Sequence, residues 1–166
     1  CGQRVRDDRQ HDRPRASAQR RCGQKDGDEA IGRSRGGLST KIHARVDALG
    51  NPTGFVLSPG QAHDLEGADA LLPGLAADAL IADKAFDAEE RVLKPLEKAG
   101  KAAVIPPKGN RKEPRAYDRE LYKARHLIEN FFAKLKQFRA IATRYDKRAV
   151  NFLGAIHLAA AVIWLN

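Results

Sequence analysis

A mixed α/β domain is the fold class this sequence predicts, on three observations. Residues 38–47 alternate in character, residues 79–82 are an unbroken apolar run, and residues 121–138 repeat apolar positions at helical spacing. Strands of two kinds beside a one-faced helix belong together in a layered α/β architecture. At 166 residues, 42% of them hydrophobic, the chain is long enough for one domain with a real core. A net charge of +9, with 31% of residues charged, favours a phosphate-backbone partner, a merely basic soluble protein being the alternative. Two cysteines, Cys1 and Cys22, form neither a disulfide framework nor a metal-ligand spacing, which predicts a reducing cytoplasm. No signal peptide is visible. The absence of methionine, position 1 included, predicts a piece of a longer reading frame.

Taken in order, residues 1–25 hold Arg, Asp, Gln and His with almost no apolar residue, and predict a disordered or DNA-clasping arm. Residues 27–37 form a glycine-rich loop whose Arg33 and Arg35 are candidates for DNA phosphates, a plain flexible turn being the alternative. In residues 38–47, Leu38, Thr40, Ile42, Ala44 and Val46 share one face while Ser39, Lys41, His43 and Arg45 share the other, as in a half-buried strand. A turn at 47–52 and a second strand at 54–58 complete an antiparallel hairpin, stopped by Pro59 and Gly60. A helix follows to about Leu75, with Asp64 as its N-cap and His63 on the surface. Residues 79–82 predict a central strand buried on both faces, with Asp83 at its carboxyl end, where ligands gather in open α/β sheets. Asp87 is placed as N-cap of a helix over 88–98, and residues 101–105 make another strand. The loop after Pro107 carries Lys108, Arg111, Lys112, Arg115 and Arg119, a run fit to cradle a DNA strand or to be solvated.

The stretch 122–136, YKARHLIENFFAKLK, is the most informative. At about 100° per residue it sets Tyr122, Arg125, Glu129 and Lys136 within an arc of roughly 60°. Leu121, Ala124, Ile128, Phe131, Phe132, Leu135 and Phe138 occupy the adjacent face. A charged stripe of this kind is ordinarily just solvated. Residues 140–147 read as a connector, and 149–165 as an apolar helix closing the core, too short for a bilayer and filled out by Trp164.

The spacing Tyr122, Arg125, Glu129, Lys136 resembles the signature of the DDE transposases of small bacterial insertion sequences, and ADKAFD around Asp83 is similar to that family's second-Asp motif. The likeness runs from Gly27 to the C-terminus. It implies a ribonuclease-H-like mixed sheet with flanking helices over residues 27–166, preceded by a disordered or aberrant segment at 1–26. It further implies that Asp83 and Glu129 are catalytic and ligate Mg²⁺ or Mn²⁺. Tyr122, Arg125 and Lys136 would hold DNA, with Arg33, Arg35, Lys108 and Arg111 alongside. The implied partners are double-stranded DNA, as transposon ends and target, and further copies of the chain in a homo-oligomer. The implied setting is the bacterial cytoplasm, on the nucleoid when DNA is bound and away from membranes.

One departure from the family matters. Its first catalytic Asp lies in a strand of the type I-D-S-T-x-V-R-A-H about twenty residues before the GRSRGG stretch, and no such strand is present. Written as codons and read one nucleotide downstream, residues 7–17 permit T-I-D-S-T-I-V-R-A-H-Q, with the missing Asp between Arg9 and Gln10. The segment up to about Arg21 is thus expected to be an out-of-frame first strand. Asp26 and Asp28, in a polar glycine-rich stretch, are poor replacements. Two carboxylates do not reproduce a three-carboxylate, two-metal cage, so this chain is expected to be inactive in cleavage and strand transfer. Two alternatives stand beside it: a non-catalytic basic DNA-binding remnant or inhibitor of an intact transposase, and a nuclease of the same fold with no role in transposition.

Overall fold

β3 (Gly37–Val46) is the longest strand of the computed structural model, which describes residues 2–6, 29–111 and 115–165. Three partners use its two edges. Along one edge, β2 (Gly32–Ser34) pairs antiparallel with Leu38 and its neighbours, and β4 (Pro52–Pro59) pairs antiparallel from Thr40 to Val46. On the other edge lies β1 (Gly2–Arg6), with Gly2 opposite His43 and Arg6 opposite Ser39. The expected disordered arm is corrected over these five residues. Backbone pairing needs no apolar side chains, and an open strand edge offers a row of unsatisfied groups to any extended segment. Residues 27–37 are likewise no loose loop from Gly32 onward. They make a tight hairpin of β2 and β3 turning at Arg35 and Gly36, closed by Gly37 at φ +96°.

The β3–β4 hairpin forms as its alternation predicts, and its turn is fixed by Asp47. That carboxylate accepts from the backbone N–H of Leu49 at 2.8 Å and of Asn51 at 2.9 Å. The Asn51 N–H chiefly holds the Asp47 carboxyl below the usual range. The expected polar face of β3 is not solvated, however. Ser39, Lys41 and His43 are buried, whereas Leu38, placed on the apolar face, is exposed. The reason is α1 (Leu65–Leu71), which lies on the Lys41–His43 face so closely that a Cβ on Gly67 would come within 2.3 Å of the His43 ring. Only glycine admits this approach. Lys41 Nζ donates to Asp64 and to the Ala62 carbonyl, and His43 Nε2 is 2.7 Å from Ser58 Oγ. Asp64 thus sits at the expected cap position, yet its side chain bonds Lys41 instead of the helix N–H groups.

A second sheet is built separately. β5 (Ala79–Ile81) pairs in parallel with β6 (Ala102–Val104). Between them run a 3₁₀ turn (Lys84–Phe86), a π-helical turn (Glu89–Leu93) and α2 (Lys94–Lys98). β5 was expected at the centre of one sheet, buried on both faces. It is half-buried instead, with a strand on one side only among the described residues. Asp87 does not cap the following helix. Almost wholly buried, it accepts from the Lys108 N–H at 2.8 Å and from Arg111 Nη1 at 2.6 Å, which ties the basic loop back to the domain.

The expected single helix around Glu129 is three consecutive segments: α3 (Arg119–Tyr122), a 3₁₀ turn (Lys123–Arg125) and α4 (His126–Leu135). Asp118 starts them, its carboxylate accepting from Glu120 N and Leu121 N at 2.9 Å. Phe131, Phe132 and Leu135 are buried as predicted, while Leu121 is exposed. Within the expected connector lies α5 (Arg139–Ala142), and the chain ends in α6 (Ala149–Leu165). α6 is corrected as well. Phe152, Ile156, Ala159 and Ala160 are buried, but Leu158 and Val150 are exposed, and Trp164 is 65% exposed instead of filling the core. Only one face of α6 meets α4 and β4 among the described residues, so the rest of an apolar helix is left outside.

Two cores result. The larger packs Ile42 and Ala44 of β3 against Phe131, Phe132, Leu135, Ile141, Phe152 and Ile156. The smaller gathers Leu65, Ala68, Ala82, Phe86, Val92, Leu93, Leu96 and Ile105 around the two-stranded sheet.

Candidate active site

Asp83 lies two residues beyond the end of β5, after Ala82, whose N–H still donates to the Val104 carbonyl at 3.3 Å. Asp83 Oδ1 accepts from Ala85 N at 2.9 Å and caps the 3₁₀ turn. The carboxylate thus caps this turn just past a strand's carboxyl end. Glu129 sits one helical turn beyond Arg125, and the two form an i,i+4 ion pair through Arg125 Nη2 and Glu129 Oε1. Glu129 is half exposed, and Arg125 is the more covered partner.

Tyr122 links these groups. The Arg125 guanidinium lies 5.8 Å from the Tyr122 ring centroid, and the Tyr117 ring meets it edge-on at 5.5 Å. Burial raises the Tyr122 hydroxyl above its ordinary pKa, Arg125 opposes the rise, and both Asp83 and Glu129 add to it. One phenol thus lies in the field of an acid from a strand end and an acid from a helix more than forty positions later. Tyr122 and Glu129 each meet Arg125, and the charges of Asp83 and Glu129 both act on the Tyr122 hydroxyl.

The remaining expected site residues are placed apart from it or are engaged elsewhere. Lys136 is exposed at the C-terminal cap of α4, seven residues and so about 10 Å of helix rise beyond Glu129. Arg33 and Arg35 are exposed on the β2–β3 hairpin, where they line a small cleft with Ser34, Gly60 and Gln61. That cleft is at the end of β3 remote from Ala44–Val46. Arg111 pairs with Asp87 and Glu89, and Arg115 donates to the carbonyls of Ala103 and Ile105, so both fasten their loop to the domain. Lys108 is half-buried, its backbone held by Asp87. Lys112, Asp26, Asp28 and the shifted-frame stretch 7–17 lie outside the described residues.

Beside the carboxylates opens a cavity of about 470 Å³ between the two sheets. Its walls include Ala44, Arg45, Val46 and Asp47 of β3 and its turn, Ala79–Ala82, Leu71 and Leu72 at the end of α1, and Leu121, Arg125 and Ile128. The cavity reaches Ala82 and Arg125, the immediate neighbours of Asp83 and Glu129.

Sequence reasoning missed Arg144. It is 1% exposed, with φ +47°, and donates to the carbonyls of Ala30 at 3.1 Å and Glu29, while its guanidinium lies 4.9 Å from the Phe152 ring centroid. Glu29 in turn accepts from Ala149 N at 2.7 Å at the start of α6. A lone Arg in a polar connector carries no periodic signal, so nothing local marks it. Among the described residues no group of three His, Cys, Asp or Glu side chains is disposed to hold a metal ion, and no helix is long and apolar enough to cross a membrane.

A family model described as the transposase DDE domain matches residues 7–164. The chain is 41% identical over 130 residues to a Brucella ovis protein named "Putative transposase for insertion sequence element IS6501", a match covering 78% of this chain and 100% of that one. No solved structure matches. With residues 7–164 matched by that family model and 41% identity to a relative covered over its full length, the chain belongs to the DDE transposase family of insertion sequences.

Proposed function

We propose that this chain is the catalytic domain of an insertion-sequence transposase, built for metal-dependent cleavage and transfer of DNA strands but short of one carboxylate. Asp83 and Glu129 are the acids of the site. Tyr122 and Arg125 position a phosphodiester beside them, and Lys136, Arg33, Arg35 and Lys108 hold flanking DNA. The observation that supports this most is that Tyr122, 5.8 Å from the Arg125 guanidinium, carries the influence of both acids on its hydroxyl.

Carboxylate oxygens are the donors that Mg²⁺ or Mn²⁺ prefers. The donor set falls short all the same. Glu129 is paired with Arg125, Asp83 caps Ala85, and no third acid joins them among the described residues. A two-ion cage is therefore not complete among the described residues, which account for DNA binding and positioning only.

The test uses DNA carrying the element's own terminal repeats. This chain binds it, with affinity falling as salt rises, and does not nick it. A version with residues 7–17 restored to the frame that spells I-D-S-T nicks it when Mg²⁺ is added, and Glu129→Gln lowers that rate by at least about a hundredfold. The missing third donor favours a second reading, a DNA-binding remnant that competes with intact transposase. Binding without nicking by the restored version would establish that reading.

A further inference from the structure

The hairpin that carries Arg33 and Arg35 is fixed from outside its own strands. Its lead-in, Glu29 and Ala30, is held by Arg144, 114 positions after Ala30. Arg144 Nη2 donates to the Glu29 carbonyl at 2.5 Å and Nη1 to the Ala30 carbonyl at 3.1 Å. The same guanidinium donates to the carbonyls of Asp146 and Lys147, each at 3.3 Å, so it joins the residues before β2 to those before α6. A planar fork of donors reaches both sets of carbonyls at once, as the single point of a lysine ammonium does not. From β3, Thr40 Oγ1 donates to the Ala30 carbonyl at 2.6 Å, and Thr40 and Arg144 are at most 1% exposed. Ala30 at φ +50° and Arg144 at φ +47° are both in the left-handed region. L side chains enter that region at a cost, so the surrounding bonds must hold them there, and strain held in this way gathers at functional sites.

Beyond this lead-in the hairpin has little freedom. A Cβ on Gly32 would come within 1.6 Å of Gln61 Oε1, so β2 lies directly against the chain after β4. Ser39 Oγ donates to Ser34 Oγ at 2.9 Å, and Ser34 Oγ donates to the Gly37 carbonyl at 3.1 Å. Ala30 and Gly32 are buried, while Arg33 and Arg35 are exposed at the cleft. Among the described residues neither of these arginines is in an ion pair, whereas Arg111 is. We propose that Arg144 is a positioning residue for DNA: by setting the lead-in of β2, it presents Arg33 and Arg35 to the phosphates already in place. A loose basic hairpin would have to be ordered on binding, and that ordering would subtract from affinity. The fixing of the hairpin stands on geometry alone; its use in DNA binding rests on the reading of Arg33 and Arg35 given above.

Arg144→Lys is made in the natural chain and in a background carrying Arg33→Ala and Arg35→Ala, and folding is checked by circular dichroism. In the natural chain, Arg144→Lys speeds amide hydrogen exchange over residues 32–37 by at least about tenfold. It also weakens binding to duplex DNA carrying the terminal repeats by at least about fivefold. In the alanine background it changes affinity by less than about twofold, because a residue acting through the hairpin has nothing left to position. Thr40→Val, which removes the other bond to the Ala30 carbonyl, acts in the same direction by about threefold and decides the matter if Arg144→Lys does not fold. Unchanged exchange in the hairpin, unchanged affinity, or an equal loss of affinity in both backgrounds overturns the positioning role. The two alanines by themselves lower the salt slope of binding by about two. If they leave slope and affinity unchanged, the hairpin does not contact DNA, and the reading of Arg33 and Arg35 falls together with the role of Arg144.

Discussion

The two cores of this protein are made in different ways. The larger one is a three-layer contact in which β3 and β4 receive α4 and α6, and its aromatic residues Phe131, Phe132 and Phe152 are at most 2% exposed. The smaller one collects aliphatic side chains from short turns around two three-residue strands, and its walls give onto the cavity. The first is closed by long elements with strong patterns. The second is assembled from short elements beside the cavity, with less pattern to hold it.

Substitutions can sharpen that contrast. Phe132→Ala in the larger core should cost about 4 kcal/mol and lower the stability of the whole molecule, read by denaturant melts. Circular dichroism is the suitable signal, because Trp164 is already in solvent. Leu96→Ala in the smaller core should cost about 3 kcal/mol, with the loss confined to it: faster hydrogen exchange at β5 and β6, and little change at β3 and β4. Equal acceleration in both sheets would show that the two cores unfold as one. Arg144→Ala removes the donors that hold the Glu29 and Ala30 carbonyls and should cost about 2 kcal/mol, loosening the start of α6 first.

The smallest effect concerns pH. Burial lowers the His43 pKa below its ordinary 6.5, so the unfolded chain binds this proton more readily than the folded one. Stability is then full above about pH 6.5 and falls as pH drops through the window below it, by at most about 1.4 kcal/mol per pH unit. His43→Gln should flatten that slope in melts between neutral and mildly acidic pH. An unchanged slope would assign the acid sensitivity to other groups.

Much of the architecture could be read from periodicity. The β3–β4 hairpin, the apolar face of α4 and the β5 and β6 runs follow from residue types alone, because period two and period 3.6 are local properties. The errors share one cause. Lys41 and His43 look like a solvated face until α1, through Gly67, is known to lie on them. Leu158 and Trp164 look like core until the layer that would cover them proves absent among the described residues. Asp87 looks like a helix cap until the basic loop folds back onto it.

For the site, sequence by itself determined which residue types recur at which spacing, and so Asp83, Arg125, Glu129 and the family. Spacing along one helix is enough to pair Arg125 with Glu129. Only the tertiary structure decided that acids from two distant segments both act on Tyr122, that Arg111 is held by Asp87, and that the strands form two sheets with a cavity beside them. Those are contacts between segments far apart in the chain, and no local pattern encodes a distance between them.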